Sequence, residues 1–166
     1  GFQIELRYTL DGGTPGSGAA DMGEQISINN LTGSPLDFHF FQYADFDLSA
    51  ADTAVFPNPN TVDQTGGGLR LSETVVTPPA SHREAAFFPV TLNKLNDALP
   101  TTLIDNAGAG AGDVTWAFEW DFILGPNGTF QTSKDKQPRP IVPEPSAGAL
   151  MALAGLILIG RKRLTR

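Results

Sequence analysis

Between Val114 and Leu124 every second residue is apolar, and most are large: Val114, Trp116, Phe118, Trp120, Phe122 and Leu124. Successive side chains of an extended chain point to opposite faces, so this period of two predicts a strand with one face to bury. A strand cannot bury that face alone and needs a second layer of structure across it. The segment is therefore predicted to be the central strand of a packed β architecture, with Trp116 and Trp120 in the core.

Shorter strand patterns fill the rest of the body. Phe2, Ile4, Leu6, Tyr8 and Leu10 alternate with polar residues and predict a half-buried strand. A Gly-rich loop is expected over residues 11–23, then a strand over 25–29. Residues 36–46 carry Phe38 and Phe40 on one parity and Phe41 and Tyr43 on the other, which predicts a bulge between Phe40 and Phe41. Further strands are expected at 53–56, 61–65, 69–77 and 84–90, separated by Pro- and Gly-rich turns. Residues 91–97 predict a short helix, and 106–112 a loop. Gly125-Pro126-Asn127-Gly128 predicts a tight hairpin from the central strand into a last strand at 129–133. Many short strands and little helix predict an all-β fold, an antiparallel β-sandwich. The sandwich is expected to occupy residues 1–133, with polar, proline-terminated residues 134–142 as a linker.

The C-terminal residues are of another kind. Residues 146–160 hold no charge, and a helix of that length is a rod of about 22 Å. That is short against a hydrocarbon core of about 30 Å, a mismatch relieved by bilayer thinning and snorkelling cations. Arg161, Lys162, Arg163 and Arg166 follow it, and positive charge beside a membrane segment stays cytoplasmic, which predicts export of everything before the helix. Pro143 and Pro145 on either side of Glu144 favour extended, accessible chain just ahead of it.

The order of Pro143-Glu144-Pro145, apolar helix and Arg-rich end closely resembles the PEP-CTERM sorting signal, here residues 143–166. The resemblance implies a single transmembrane helix at 146–160, held briefly in the inner membrane of a Gram-negative-type bacterium. It also implies transient recognition and cutting by an exosortase, a membrane-embedded cysteine protease, with delivery to the cell surface or extracellular matrix and exopolysaccharide as a possible partner. That family pairs the tail with an N-terminal secretory signal; the chain opens at Gly1 without Met, so a truncated or processed start is expected. Residues 41–48 and 112–118 are similar to the bodies of other proteins with this tail, a similarity that implies no particular activity.

Charge narrows the function classes. Residues 1–145 carry 7 basic and all 18 acidic residues, a formal charge of −11, which repels phosphate backbones and argues against nucleic-acid binding. With no cysteine there is neither a disulfide framework nor a thiolate metal site.

No constellation declares catalysis. Glu119 and Asp121 share a strand face about 6.8 Å apart, within reach of glycosidase geometry. Laminarinase-like glycoside hydrolases carry a similar Glu-x-Asp strand, but the further Glu of that pattern is replaced by Ile123 and Leu124. Asp45, Asp47 and Asp52, with Asp37 nearby, offer oxygen ligands for calcium without the Gly and terminal Glu of an EF-hand loop. His39 is expected on a strand face and His82 in a Pro-Ser-rich loop, so no metal site is expected of the pair. Ser81 beside His82 lacks a nucleophile-elbow motif. Asn30-Leu31-Thr32 and Asn127-Gly128-Thr129 match the glycosylation sequon. The expectation is a non-catalytic, cofactor-free body, with a carbohydrate- or calcium-binding module as the alternative and a small glycoside hydrolase behind it.

Overall fold

The computed structural model describes residues 1–141. Ten strands and one helix follow in chain order: β1 (Phe2–Gly12), β2 (Ala20–Asn30), β3 (Leu36–Ala44), β4 (Asp52–Asn58), β5 (Thr61–Gly66), β6 (Leu69–Thr77), β7 (His82–Phe87), α1 (Val90–Asn96), β8 (Gly108–Gly112), β9 (Val114–Leu124) and β10 (Thr129–Pro140). They form two antiparallel sheets, a seven-stranded one in the order β1-β2-β10-β6-β5-β4-β8 and a three-stranded one in the order β3-β9-β7. The fold is all-β, as the alternating pattern dictates.

The main core lies between the sheets. Trp116, Phe118 and Trp120 of β9 pack with Ala54 and Phe56 of β4, Val62 of β5 and Val75 of β6. Trp116 and Trp120 are buried, as their alternation demands. A second cluster joins Ile26 and Ile28 of β2 to Leu124, with Phe122 and Phe130 stacked at a centroid distance of 3.8 Å.

Several expectations are corrected. The Gly125–Gly128 turn is tight, with Gly128 N–H donating to Gly125 O at 3.0 Å and Asn127 at φ 53°. It nevertheless joins no hairpin: β9 belongs to the small sheet, while β10 pairs with β2 and β6 of the large one. Phe122 and Phe130 instead face each other from opposing sheets, their rings 9° from parallel. The bulge expected between Phe40 and Phe41 is missing, because β3 pairs with β9 in unbroken register from Leu36 to Ala44. Phe41 and Tyr43 face outward and are half-buried there by neighbouring structure. β1 is exposed along its whole length, since it is the edge of a seven-stranded sheet that three facing strands cannot cover. The loop expected over 106–112 contains β8.

The largest correction concerns residues 134–142. Instead of a linker, Lys134–Pro140 form the second half of β10, paired with β6. Lys134 and Lys136 point into the sandwich and meet Glu24 of β2 and Glu73 of β6. Lys134 Nζ lies 2.8 Å from Glu24 Oε2 and 3.3 Å from Glu73 Oε1; Lys136 Nζ lies 3.1 Å from Glu24 Oε2 and 2.9 Å from Glu73 Oε2. Two lysines against two glutamates make a buried quartet without net charge, which is how so polar a stretch enters the interior. Gln42 of β3 adds a hydrogen bond across the sheets, Nε2 donating to Glu24 Oε2 at 3.0 Å.

Candidate functional site

The outer face of the small sheet concentrates ionisable side chains. On β9 the residues between the aromatic ones point away from the main core, and cross-strand register supplies their neighbours: His39 of β3 opposes Asp121, and His82 of β7 opposes Glu119. Residues directly opposite in an antiparallel pair share a face. The two imidazoles, 43 positions apart in the chain, thus flank the same pair of carboxylates.

The loop after α1 covers part of this face. α1 is pinned to β7 through Glu84, which is buried and accepts from Thr91 Oγ1 at 2.7 Å and from Lys94 Nζ at 2.7 and 2.9 Å. The chain then crosses over β9, burying Leu103, whose N–H donates to Glu119 Oε2 at 2.7 Å. Glu119 is fully buried, and its other oxygen, Oε1, has no hydrogen-bond donor. Oε1 lies 3.6 Å from His39 Nδ1, which itself sits 2.7 Å from Asp121 Oδ1. His82 Nε2 lies 3.7 Å from Asp121 Oδ2. His82 Nδ1 is bonded to Asp105 Oδ2 at 2.6 Å. Asp105, at φ 54°, is held in turn by the N–H of Arg83 at 3.1 Å.

The electrostatics follow from this layout. Burial raises the Glu119 carboxyl above the ordinary carboxylate range, and the adjacent Asp121 charge pushes the same way. The hydrogen bond to Asp105 raises the His82 imidazole against the opposing effect of burial. Beside the cluster, between β3 and the α1 loop, is a cleft of about 230 Å³ lined by His39, Phe41, Lys94, Leu95, Leu99 and Thr101.

Glu119 and Asp121 do share a face, as their spacing requires, yet Glu119 lies beneath Leu103 and does not border an open groove for a saccharide. Ser81 Oγ accepts the Asp121 N–H at 3.0 Å. Nothing matches this chain among protein-family models or curated proteins. The site is therefore interpreted from its own geometry.

The acidic group expected around Asp45 is rearranged. Asp45 and Asp47 are joined by Asp113, all three exposed, with carboxylate oxygens within 4.8 Å of one another. Burial, then the charges of Asp113 and Asp47, raise the Asp45 carboxyl. Asp52 is instead buried and structural: Oδ2 accepts from Leu48 N–H and Gln64 Nε2, both at 2.9 Å, and Oδ1 from Ser49 Oγ at 2.8 Å. Asp37 lies on β3 opposite Ile123. Asn30 of the first sequon is buried, with Nδ2 donating to Ser34 O, Leu124 O and Gly125 O, so it offers no free amide for glycosylation.

The sorting residues Pro143, Glu144 and Pro145, the apolar run 146–160, and Arg161, Lys162, Arg163 and Arg166 lie outside the described residues. Among the described residues no helix is long and apolar enough to cross a membrane. Sequence reasoning paired Glu119 with Asp121 on one strand face and set His39 and His82 aside as a pair from which no metal site was expected, but missed that the two pairs meet. Only the pairing of β3 and β7 on either side of β9 brings them together.

Proposed function

We propose that this chain is an exported protein of a Gram-negative-type bacterium, carried by its C-terminal tail to the inner membrane, cut there by an exosortase and delivered to the cell surface or exopolysaccharide matrix. The observation that carries the reading is the order of Pro143-Glu144-Pro145, the uncharged run 146–160 and the basic residues 161–166. The body's last strand ends at Pro140, and the Ile141 N–H still donates to Gly68 O at 2.8 Å. The described fold thus runs up to Ile141, two positions before Pro143 in the sequence. The strong negative charge of the body suits a hydrated matrix.

The body acts there as a non-catalytic module. Co-expression with a cognate exosortase and intact-mass analysis tests the delivery reading: a product shortened near residues 143–145 is expected, and Glu144→Ala is expected to remain full length. An unaltered wild-type C-terminus, under conditions that process a control substrate, overturns it.

A further inference from the structure

We propose that His39, Glu119 and Asp121, with His82 beside them as a fourth donor, form a binding site for a zinc-class transition-metal dication on the outer face of the small sheet. The inference stands apart from the delivery reading and rests on the body alone. Its first support is the unpartnered Glu119 Oε1. A buried carboxylate oxygen without a donor is costly, and here the nearest donor, His39 Nδ1, is already engaged by Asp121 at 2.7 Å. A cation among these atoms supplies the partner that Glu119 Oε1 lacks and is shared with the adjacent Asp121 carboxylate.

Its second support is the spacing. Tetrahedral zinc with metal–ligand bonds of about 2.0–2.2 Å sets neighbouring donor atoms about 3.3 Å apart. The observed separations are 2.7 Å for His39 Nδ1 to Asp121 Oδ1, 3.6 Å for His39 Nδ1 to Glu119 Oε1 and 3.7 Å for His82 Nε2 to Asp121 Oδ2. One donor atom each of His39, Glu119 and Asp121 lies within 4.8 Å of the other two, so these three converge on one point, and His82 Nε2 stands beside them against the second Asp121 oxygen, where a side-chain rotation would bring it in.

Its third support is the outer layer. His82 is held through Nδ1 by Asp105, which directs Nε2 at Asp121, and Glu119 is held through Oε2 by the Leu103 N–H, which leaves Oε1 free. Metal-binding histidines and carboxylates are commonly oriented in this way by partners on their far atoms. The His39 nitrogen among the donors, with the His82 nitrogen beside it, favours zinc-like ions over calcium or magnesium, which prefer all-oxygen shells. His39 is 56% exposed and Asp121 33%, so an ion has a path in from solvent.

The test is calorimetric titration of metal-depleted, tag-free full-length chain with zinc chloride, alongside thermal unfolding. One zinc per chain is expected, with a raised melting temperature, and no saturable heat from millimolar calcium. His39→Ala and Asp121→Asn, both at exposed positions, are each expected to weaken zinc binding about ten-fold or more, the scale of losing a metal-site residue. Asp47→Asn, which alters the separate exposed acidic group, is expected to leave it unchanged. Absence of zinc binding by the wild type overturns the proposal. So does undiminished binding by both His39→Ala and Asp121→Asn, or a loss caused by Asp47→Asn instead.

Discussion

Trp116 Nε1 donates to Gln64 Oε1 at 3.1 Å, a fully buried hydrogen bond from the small sheet to the large one. Gln64 passes the connection on, its Nε2 donating to Asp52 Oδ2 at 2.9 Å, and Asp52 in turn secures the 48–49 turn. A single amide thus satisfies the only polar atom of a core indole and a buried carboxylate together. Gln64→Leu is expected to leave the Trp116 N–H without an acceptor, while Asp52 keeps its bonds from Leu48 N–H and Ser49 Oγ, and to cost about 1–3 kcal/mol, the penalty of one unsatisfied buried group. Urea denaturation of the wild type and variant measures it. A change below about 0.5 kcal/mol, the scale of an ordinary surface substitution, contradicts the role given to Gln64.

The lysine–glutamate quartet behaves as a unit. Lys134→Met removes one of two positive charges facing two buried glutamates, and destabilisation of about 3–5 kcal/mol is expected from the uncompensated charge. Adding Glu73→Leu restores a one-to-one pairing of Lys136 with Glu24, and the double variant is expected to recover most of that loss. A double-mutant cycle by denaturant unfolding reads the coupling; purely additive effects rule out the quartet as a cooperative group.

Acid sensitivity follows from Glu24. Burial alone raises a carboxyl, but Lys134 and Lys136 hold Glu24 down to about 2 from an ordinary 4.5. A depressed folded-state value favours the folded protein above the unfolded value and loses that benefit as pH falls. The contribution, about 3 kcal/mol, is complete above pH 4.5 and disappears progressively as pH drops through about 2. Unfolding free energies measured from pH 6 down to 2 are expected to show this decline, with a shallower slope in Glu24→Gln. Parallel profiles for the two proteins contradict the assignment.

Asn30 ties the exit of β2 to the end of β9. Its Nδ2 donates to Ser34 O, Leu124 O and Gly125 O, while Oδ1 accepts from Thr32 N–H at 2.8 Å and Thr32 Oγ1 at 2.7 Å. Asn30→Ala is expected to destabilise by about 3 kcal/mol through the carbonyls and donors left unpaired. Asn127 in the adjoining turn serves as a contrast: at φ 53° it is replaceable by Gly, whereas Asn127→Ala is expected to cost about 1 kcal/mol. Thermal melts of the three variants test the ranking.

The legibility of the fold varied with the kind of signal. The β9 alternation located a core strand because large aromatic residues at period two leave one solution. In β1 the same period was equally clear but did not report coverage, since nothing local says that β1 is an edge strand of the larger sheet. Residues 134–139 misled because polarity alone reads as solvent exposure, while Glu24 and Glu73, the partners that let Lys134 and Lys136 be buried, lie far away in the chain. The candidate site was hidden for the same reason. His39 and His82 acquire meaning only when β3 and β7 flank β9 in the observed register, and the burial of Glu119 depends on Leu103, which carries no motif.

Local pattern, by itself, determined the secondary-structure class, the central strand, the position of the tight turn and the acidic character of the body, because each depends on neighbours within a few residues. The tertiary structure alone decided that the turn carries the chain between sheets, that two lysines are interior, and that His39, Glu119 and Asp121 converge on one face with His82 beside them. Those outcomes depend on strand order and register, which are set by the balance of burial and charge compensation across the whole fold and have no signature in any one segment.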